Sequence, residues 1–314
     1  QLLGRFFSFV RKLNAFINYS WIMQRKIYLK ISGGIGNQLF QYASAKNLSI
    51  KLKAKLIIDD KSGFFFDSIF KRKKSLPKNF VYKKINLVEL FYFYFFILIK
   101  KIFYKNKKFF QFKKSIIFDE TKSKRFEKNL DKKFGENTSI FLIGFFQSEN
   151  YFKEIQNEIT AMILKNRIKH KKLLEMKTYI NNMSVLMGVR LYEEAPTKIK
   201  KNFGGIESMS FYKKAIIKFK KKRLNYKFFI TSTYQNLTFL KTRIYSKARI
   251  IKNLNNLGVS DIEYLIFMSN FRNFIISNSS YYWWAAYLAE SKKKINIITS
   301  YKYINKDTIP KRWL

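Results

Sequence analysis

One short stretch limits what this chain can fold into more than any other: Ile31-Ser32-Gly33-Gly34-Ile35-Gly36-Asn37-Gln38-Leu39-Phe40-Gln41, with three glycines in four positions. The apolar run Ile27 to Ile31 precedes the glycines, and behind them Leu39, Tyr42, Ala45, Leu48 and Leu52 fall three or four residues apart. That order reads as strand, tight turn and helix. Glycine at such a turn admits positive φ and close backbone approach, and the helix start offers unpaired N–H donors to an anion. Spacing alone leaves a tight turn and a phosphate loop both open. Asn37, Gln38 and Gln41 favour ligand contact, because amide side chains read hydroxyls or phosphates without bringing charge. The dinucleotide fingerprint fits poorly, since only Gly34 and Gly36 keep its spacing and position 39 is Leu.

A chain of 314 residues with 47% hydrophobic content has enough apolar surface for one large or two medium domains. Its 63 Lys and Arg against 20 Asp and Glu give a formal charge of +43. Such a field attracts nucleic acid, anionic membrane faces and nucleotide-sugar diphosphates alike. The cations are dispersed, not gathered in one tail or arm, and an AT-rich coding bias would yield the same crowd of Lys, Ile, Asn, Phe and Tyr. Without cysteine there is no disulfide framework or thiolate chemistry, and His170 alone makes no zinc cluster. A cytoplasmic location fits this composition, with a peripheral position on the inner face of a bacterial membrane as its variant. The sequence opens on Gln1 and not on Met, which leaves room for a preceding segment or anchor.

Residues 1–25 read as a basic amphipathic segment, Phe6, Phe7, Phe9, Val10, Leu13, Phe16 and Ile17 interleaving with Arg5, Arg11 and Lys12. Residues 26–166 form the expected N-terminal Rossmann-like domain, interrupted at 63–136 by an irregular aromatic and basic insert. Within that insert the thirteen residues Leu87 to Ile99 contain Glu89, and a spanning helix needs about twenty apolar residues. They read as a buried or interfacial helix flanked by Lys83, Lys84, Lys100 and Lys101. From Ser139 onward strands alternate with helices, which implies doubly wound parallel sheets. The change of rhythm places a second domain at 167–314.

Four further blocks carry chemistry. Gly144-Phe145-Phe146-Gln147-Ser148-Glu149-Asn150-Tyr151-Phe152 closes a strand with an aromatic and amide cluster, suited to a sugar or to a core. Arg190 stands at the end of the apolar strand Val185 to Val189, where a guanidinium can fork two donors onto a phosphate oxygen. Phe203-Gly204-Gly205 opens a helix through Tyr212 to Ile216. Asn278, Ser279 and Ser280 lie between a strand and the helix carrying Trp283 and Trp284, a place that caps a helix and binds phosphate.

Together with Gly33 to Ala43, these blocks resemble, in order, the signatures of the alpha-1,2-fucosyltransferases of glycosyltransferase family 11: GG-x-GNQ-x-FQYA, GY-x-QSE-x-YF, HIRRGDY, a glycine turn with YYKKAI, and IIANSSFSWWGAYL. The chain departs from them where His is Gly188, the second Arg is Leu191, Asp is Glu193, and a later Asp is Thr233. The resemblance implies a GT-B-type α/β fold, two Rossmann-like domains facing across a cleft, and inverting transfer of L-fucose from GDP-fucose to the 2-position of a galactoside. It further implies Arg190, Asn278, Ser279 and Ser280 on the leaving diphosphate, and Gly34, Gly36, Asn37 and Gln38 as the opposite wall orienting the donor sugar. Glu193 is the formal match for the catalytic base, with Glu194 and Glu207 as rivals. No metal or other cofactor is expected, because cationic side chains near the diphosphate supply the electrostatic stabilisation. The expected partners are GDP-fucose, a galactoside-bearing acceptor glycan and an anionic membrane surface, with nucleic acid disfavoured. The departures keep a degenerate or differently specific transferase open, and +43 alone keeps a basic binding module open.

Overall fold

Lys26–Lys30 (β1) buries Ile27, Tyr28 and Leu29 in succession, the pattern of a parallel strand covered on both faces. The structure, a computed structural model, describes residues 25–112, 114–136, 138–202, 204–221, 225–252 and 258–314. Apart from Arg25, the expected amphipathic segment 1–25 lies outside the described residues.

β1 pairs in parallel with Lys55–Asp59 (β2) and with Ser139–Ile143 (β6), Ile27 lying opposite Leu56 and Ile140. The glycine turn follows β1, with Gly33 at φ +76°, and releases the helix Ile35–Lys51 (α1). The stretch read as irregular adds three strands to this sheet: Lys83–Lys84 (β3), Phe109–Phe112 (β4) and Ser115–Asp119 (β5). The order is β3-β2-β1-β6-β5-β4, parallel apart from the β4–β5 hairpin.

Between β3 and β4 runs the helix Leu87–Phe103 (α2). Its N-terminus carries a capping box, Glu89 N–H donating to Asn86 Oδ1 at 2.8 Å while Asn86 N–H donates to Glu89 Oε2. Phe93 and Phe96 stack on Phe141 of β6 at 5.3 and 5.7 Å, and Lys100 is buried on Asp119 at 2.7 Å.

The second half opens with the helices Gln156–Leu164 (α3) and Lys171–Thr178 (α4). The sequence pattern reads one helix over Glu149 to Leu164, but the first turns are separate 3-10 turns. Phe152 leaves helical geometry at φ −141° to bury its ring against Trp284. The second sheet is wholly parallel, in the order β11-β10-β7-β8-β9: Asn296–Thr299, Asn273–Ile276, Ser184–Val189, Lys227–Ser232 and Arg249–Ile250. Its helices are Thr197–Asn202 (α5), Met209–Lys220 (α6), Leu237–Ile244 (α7), Asp261–Met268 (α8) and Ser280–Glu290 (α9). The architecture is thus the GT-B type, two parallel α/β sheets facing across a cleft.

An aromatic seam joins the halves. Phe40 of α1 lies 4.5 Å from Trp283 and 5.1 Å from Trp284 of α9, and Phe152 stacks on Trp284 at 5.4 Å. Removing either fully buried tryptophan would cost about 3–5 kcal/mol. The tail then returns to the first half, Asn305 donating to Glu120 and Asp307 accepting from Phe126 N–H. The sequence division at 166/167 falls between α3 and α4, while these last residues reach back across it.

Candidate active site

The C-terminal edges of both sheets open into one cleft of about 420 Å³, whose lining includes Gly34, Asn37, Arg72, Arg190, Ser279 and Ser280. Two helix N-termini meet there. A Cβ on Gly36 would stand 2.5 Å from the Ser280 carbonyl carbon and 2.6 Å from Tyr281 N, and Trp284 Nε1 donates to Gly36 O at 3.0 Å. The space at Gly36 is therefore filled by the start of α9, not held open for a sugar. Gly36→Ala should destabilise the fold by roughly 1–3 kcal/mol through overpacking. Thermal melting checks this, with Gly34→Ala as the contrast, because the nearest atom to a Cβ there is Arg72 Nε at 3.9 Å.

Ser279 occupies the N-cap of α9 without a side-chain cap bond. Ser280 is the first helical residue. The two helix starts aim their positive dipole ends into the cleft. Asn278 lines it as well but braces the loops around it, its Nδ2 donating to Gly205 O at 2.9 Å and to Lys302 O at 3.2 Å.

Arg190 is 8% exposed. Its Nη1 donates to Thr233 Oγ1 at 2.6 Å and to Glu193 Oε2 at 3.3 Å, its Nη2 donates to Glu194 Oε1 at 3.3 Å, and its guanidinium stacks over Tyr192. Thr233 in turn donates to Glu193 Oε1 at 2.9 Å. Position 233, where the motif has Asp, thus bears a hydroxyl bonded to the Glu193 carboxylate. Both Glu193 oxygens are engaged in holding Arg190 and Thr233, and Glu193 is not among the cleft-lining residues. Glu193 thus faces Arg190 and Thr233, while Glu194, itself paired with Arg190 at 3.1 Å, reaches the cleft. Glu207 is buried away from the cleft, accepting from Ser300 and paired with Lys302. The carboxylates that line the cleft are Glu194 and Asp261.

Gln38 also departs from its expected role. It is fully buried, donating to Gly33 O at 2.8 Å and Lys73 O at 2.9 Å and accepting from Ser75 N–H at 2.9 Å. Its amide shapes the loop 70–75 and does not face the cleft. Asn37 does line the cleft, with Oδ1 accepting from Gln147 at 2.8 Å.

The loop held by Gln38 delivers a residue that motif reading misses. Arg72 Cζ lies 3.9 Å from the Phe70 ring centroid, and Arg190 Cζ lies 5.9 Å from that same ring. The two cations therefore stand within about 10 Å of each other, the Debye length at 0.1 M salt. Burial holds the Arg72 guanidinium below its ordinary pKa, Arg190 adding to the effect and Asp67 opposing it. Among the described residues Arg72 has no ion-pair partner. Two guanidiniums beside two helix N-termini form a site for a polyvalent anion. The only signal in the sequence is the cationic run Lys71-Arg72-Lys73-Lys74. Among the described residues no group of three His, Asp or Glu side chains stands together as a metal site.

The departure at Gly188 has a steric counterpart. A Cβ there would lie 2.5 Å from Cγ of Tyr282, so the phenol ring fills the space of any side chain at 188. Gly188→His should lower the melting temperature sharply. Adding Tyr282→Ser, the residue of the motif at that position, should restore much of the loss; a double variant no more stable than the single one would refute this exchange.

The alpha-1,2-colitosyltransferase of Escherichia coli is 25% identical over 312 residues, covering 92% of this chain and 98% of that protein. Among solved structures, the alpha-1,6-fucosyltransferase NodZ soaked with GDP-fucose superposes with a TM-score of 0.49 at 13% identity, over 88% of this chain and 95% of that one. Arabidopsis thaliana FUT1 in complex with GDP gives 0.48 at 13% identity, over 88% and 70%. The family model "Glycosyl transferase family 11" matches residues 26–309, and the chain belongs to that family of glycosyltransferases.

Proposed function

We propose that this glycosyltransferase moves L-fucose from GDP-fucose to a glycan hydroxyl, the 2-position of a galactoside, with inversion at the anomeric carbon. The observation that carries the reading is the convergence of Arg190, Arg72 and the N-termini of α1 and α9 on one cleft in a family 11 chain. In this reading the acceptor oxygen bonds to the anomeric carbon as the bond from that carbon to the diphosphate oxygen breaks. The leaving group departs as GDP, its growing negative charge met by fixed donors that need no reorganisation. The acceptor proton passes to a cleft carboxylate, for which Glu194 and Asp261 are the available groups. Asn37, tied to Gln147, stands on the sugar side.

Mass spectrometry of products from GDP-fucose and a panel of galactosides tests this reading. A product heavier by one deoxyhexose is expected. No product, with calorimetry also finding no GDP binding, would sink it. The relative that aligns over nearly its whole length favours a second reading, in which the sugar is colitose. Faster turnover of the corresponding colitose nucleotide than of GDP-fucose would select it.

A further inference from the structure

Helix α2 is apolar on two opposite faces, and the fold covers one of them. Tyr92, Phe93 and Phe96 pack inward on the first sheet. Leu87, Phe91, Leu98 and Ile102 fall within about 60° of arc at 3.6 residues per turn. They face away from the sheet: Leu87 is 83% exposed, Leu98 55% and Ile102 62%. Single exposed apolar residues are ordinary, but four on one narrow arc between Leu87 and Ile102 mark an interaction surface.

Charge identifies what the stripe meets. The one carboxylate of α2, Glu89, is buried and held by Lys26, Tyr28 and Asn86. The exposed lysines Lys84, Lys101, Lys105 and Lys107 stand at the two ends, with no ion-pair partner among the described residues. A second copy of the chain would bring the same lysines and its own +43 against them, which disfavours a dimer through this face. An apolar stripe ended by ammonium groups matches a helix lying in the interface of an anionic bilayer, side chains at the acyl boundary and lysines among the headgroups. Among the described residues no helix is long and apolar enough to cross a membrane.

We propose that the outward face of α2 docks this protein on an anionic lipid surface. Midway along the helix, Tyr94 hydrogen-bonds Asp59 and Ser62, where the loop that supplies Arg72 leaves β2. That loop exposes Phe66 at 94%. The helix that docks is thereby tied to the loop that carries a cleft residue. The proposal does not depend on the identity of the sugar donor.

Co-sedimentation of the full chain with phosphatidylcholine vesicles, with and without about one third phosphatidylglycerol, tests it; surface lysines each contribute about 1 kcal/mol to such binding. Binding is expected on the anionic vesicles only, weakening as salt rises. Replacing Leu87, Phe91, Leu98 and Ile102 together by serine changes no charge and should reduce partitioning tenfold or more. Lys84, Lys101, Lys105 and Lys107 changed to glutamine should do likewise, while glutamine at Lys171, Lys172, Lys213 and Lys214 should leave most binding intact. GDP binding of each variant, followed by calorimetry, confirms that it is folded. The proposal is overturned if the wild type ignores anionic vesicles, if the serine variant binds like the wild type, or if the two glutamine variants lose binding equally. A wild-type dimer that the serine variant turns into a monomer, without change in vesicle binding, would also overturn it.

Discussion

An Arg190→Ala variant loses transfer by roughly 10²–10³-fold in kcat/KM, the scale seen when one fixed donor to a developing charge is removed. The structural basis is that Arg190 is held before the donor arrives. Glu193, Glu194 and Thr233 bind its nitrogens, and Tyr192 supports its plane. A group fixed in this way loses little freedom when the diphosphate arrives. Arg190→Lys keeps the charge but not the fork, so it should recover only part of the rate. Steady-state kinetics with GDP-fucose and a galactoside distinguish the outcomes, and wild-type rates in the alanine variant would refute the assignment. Thr233→Ala, which leaves the ion pairs in place but removes the bond at 2.6 Å, should fall between the two.

Arg72→Ala weakens GDP binding by about 10-fold to 100-fold, the range for losing a hydrogen bond to a charged group. Its effect on the free protein should be milder than Arg190's. Arg190 leaves two carboxylates without their cation, whereas Arg72 is in no ion pair among the described residues, and its loss removes the attraction of Asp67 together with the repulsion of Arg190. The ligand-free variant should therefore melt closer to the wild type than Arg190→Ala does, while the stabilisation given by added GDP shrinks. Calorimetry and melting curves with and without GDP measure both. Unchanged GDP affinity would remove Arg72 from the site.

How much of this was readable without coordinates depended on local contrast. After Ser139 each apolar run ends in polar residues, so the period of strand and helix stands out: a strand does open at Ser139, and the apolar run Val185 to Val189 lies within the strand Ser184–Val189. Between 63 and 136 nearly every face holds Phe, Tyr or Lys, and that composition hides the strands β4 and β5. Arg190 and the block Asn278 to Ser280 could be located because motifs frame them on strand ends. Arg72 could not, since one arginine in a basic run gains meaning only when the loop folds over Phe70. Gln38 and Glu193 mark the opposite limit: their types suit ligand contact, but backbone groups around Gln38, and Arg190 with Thr233 around Glu193, take up their hydrogen bonds.

The seam of Phe40, Phe152, Trp283 and Trp284 also bears on how the enzyme moves through its cycle. Prising the halves apart would expose that buried cluster and break the Trp284 bond to Gly36, a cost out of scale with a motion repeated at every turnover. A hinge motion that parted this seam is thereby disfavoured. Entry of the donor and escape of spent nucleotide would then fall to the loop 62–75, which meets the far side through Ser75 and Asp261 at 3.4 Å and through Phe70 beside Arg190. Turnover in this enzyme would be timed by a flap, so shortening or stiffening that loop should alter product release more than any change along the seam that keeps it packed.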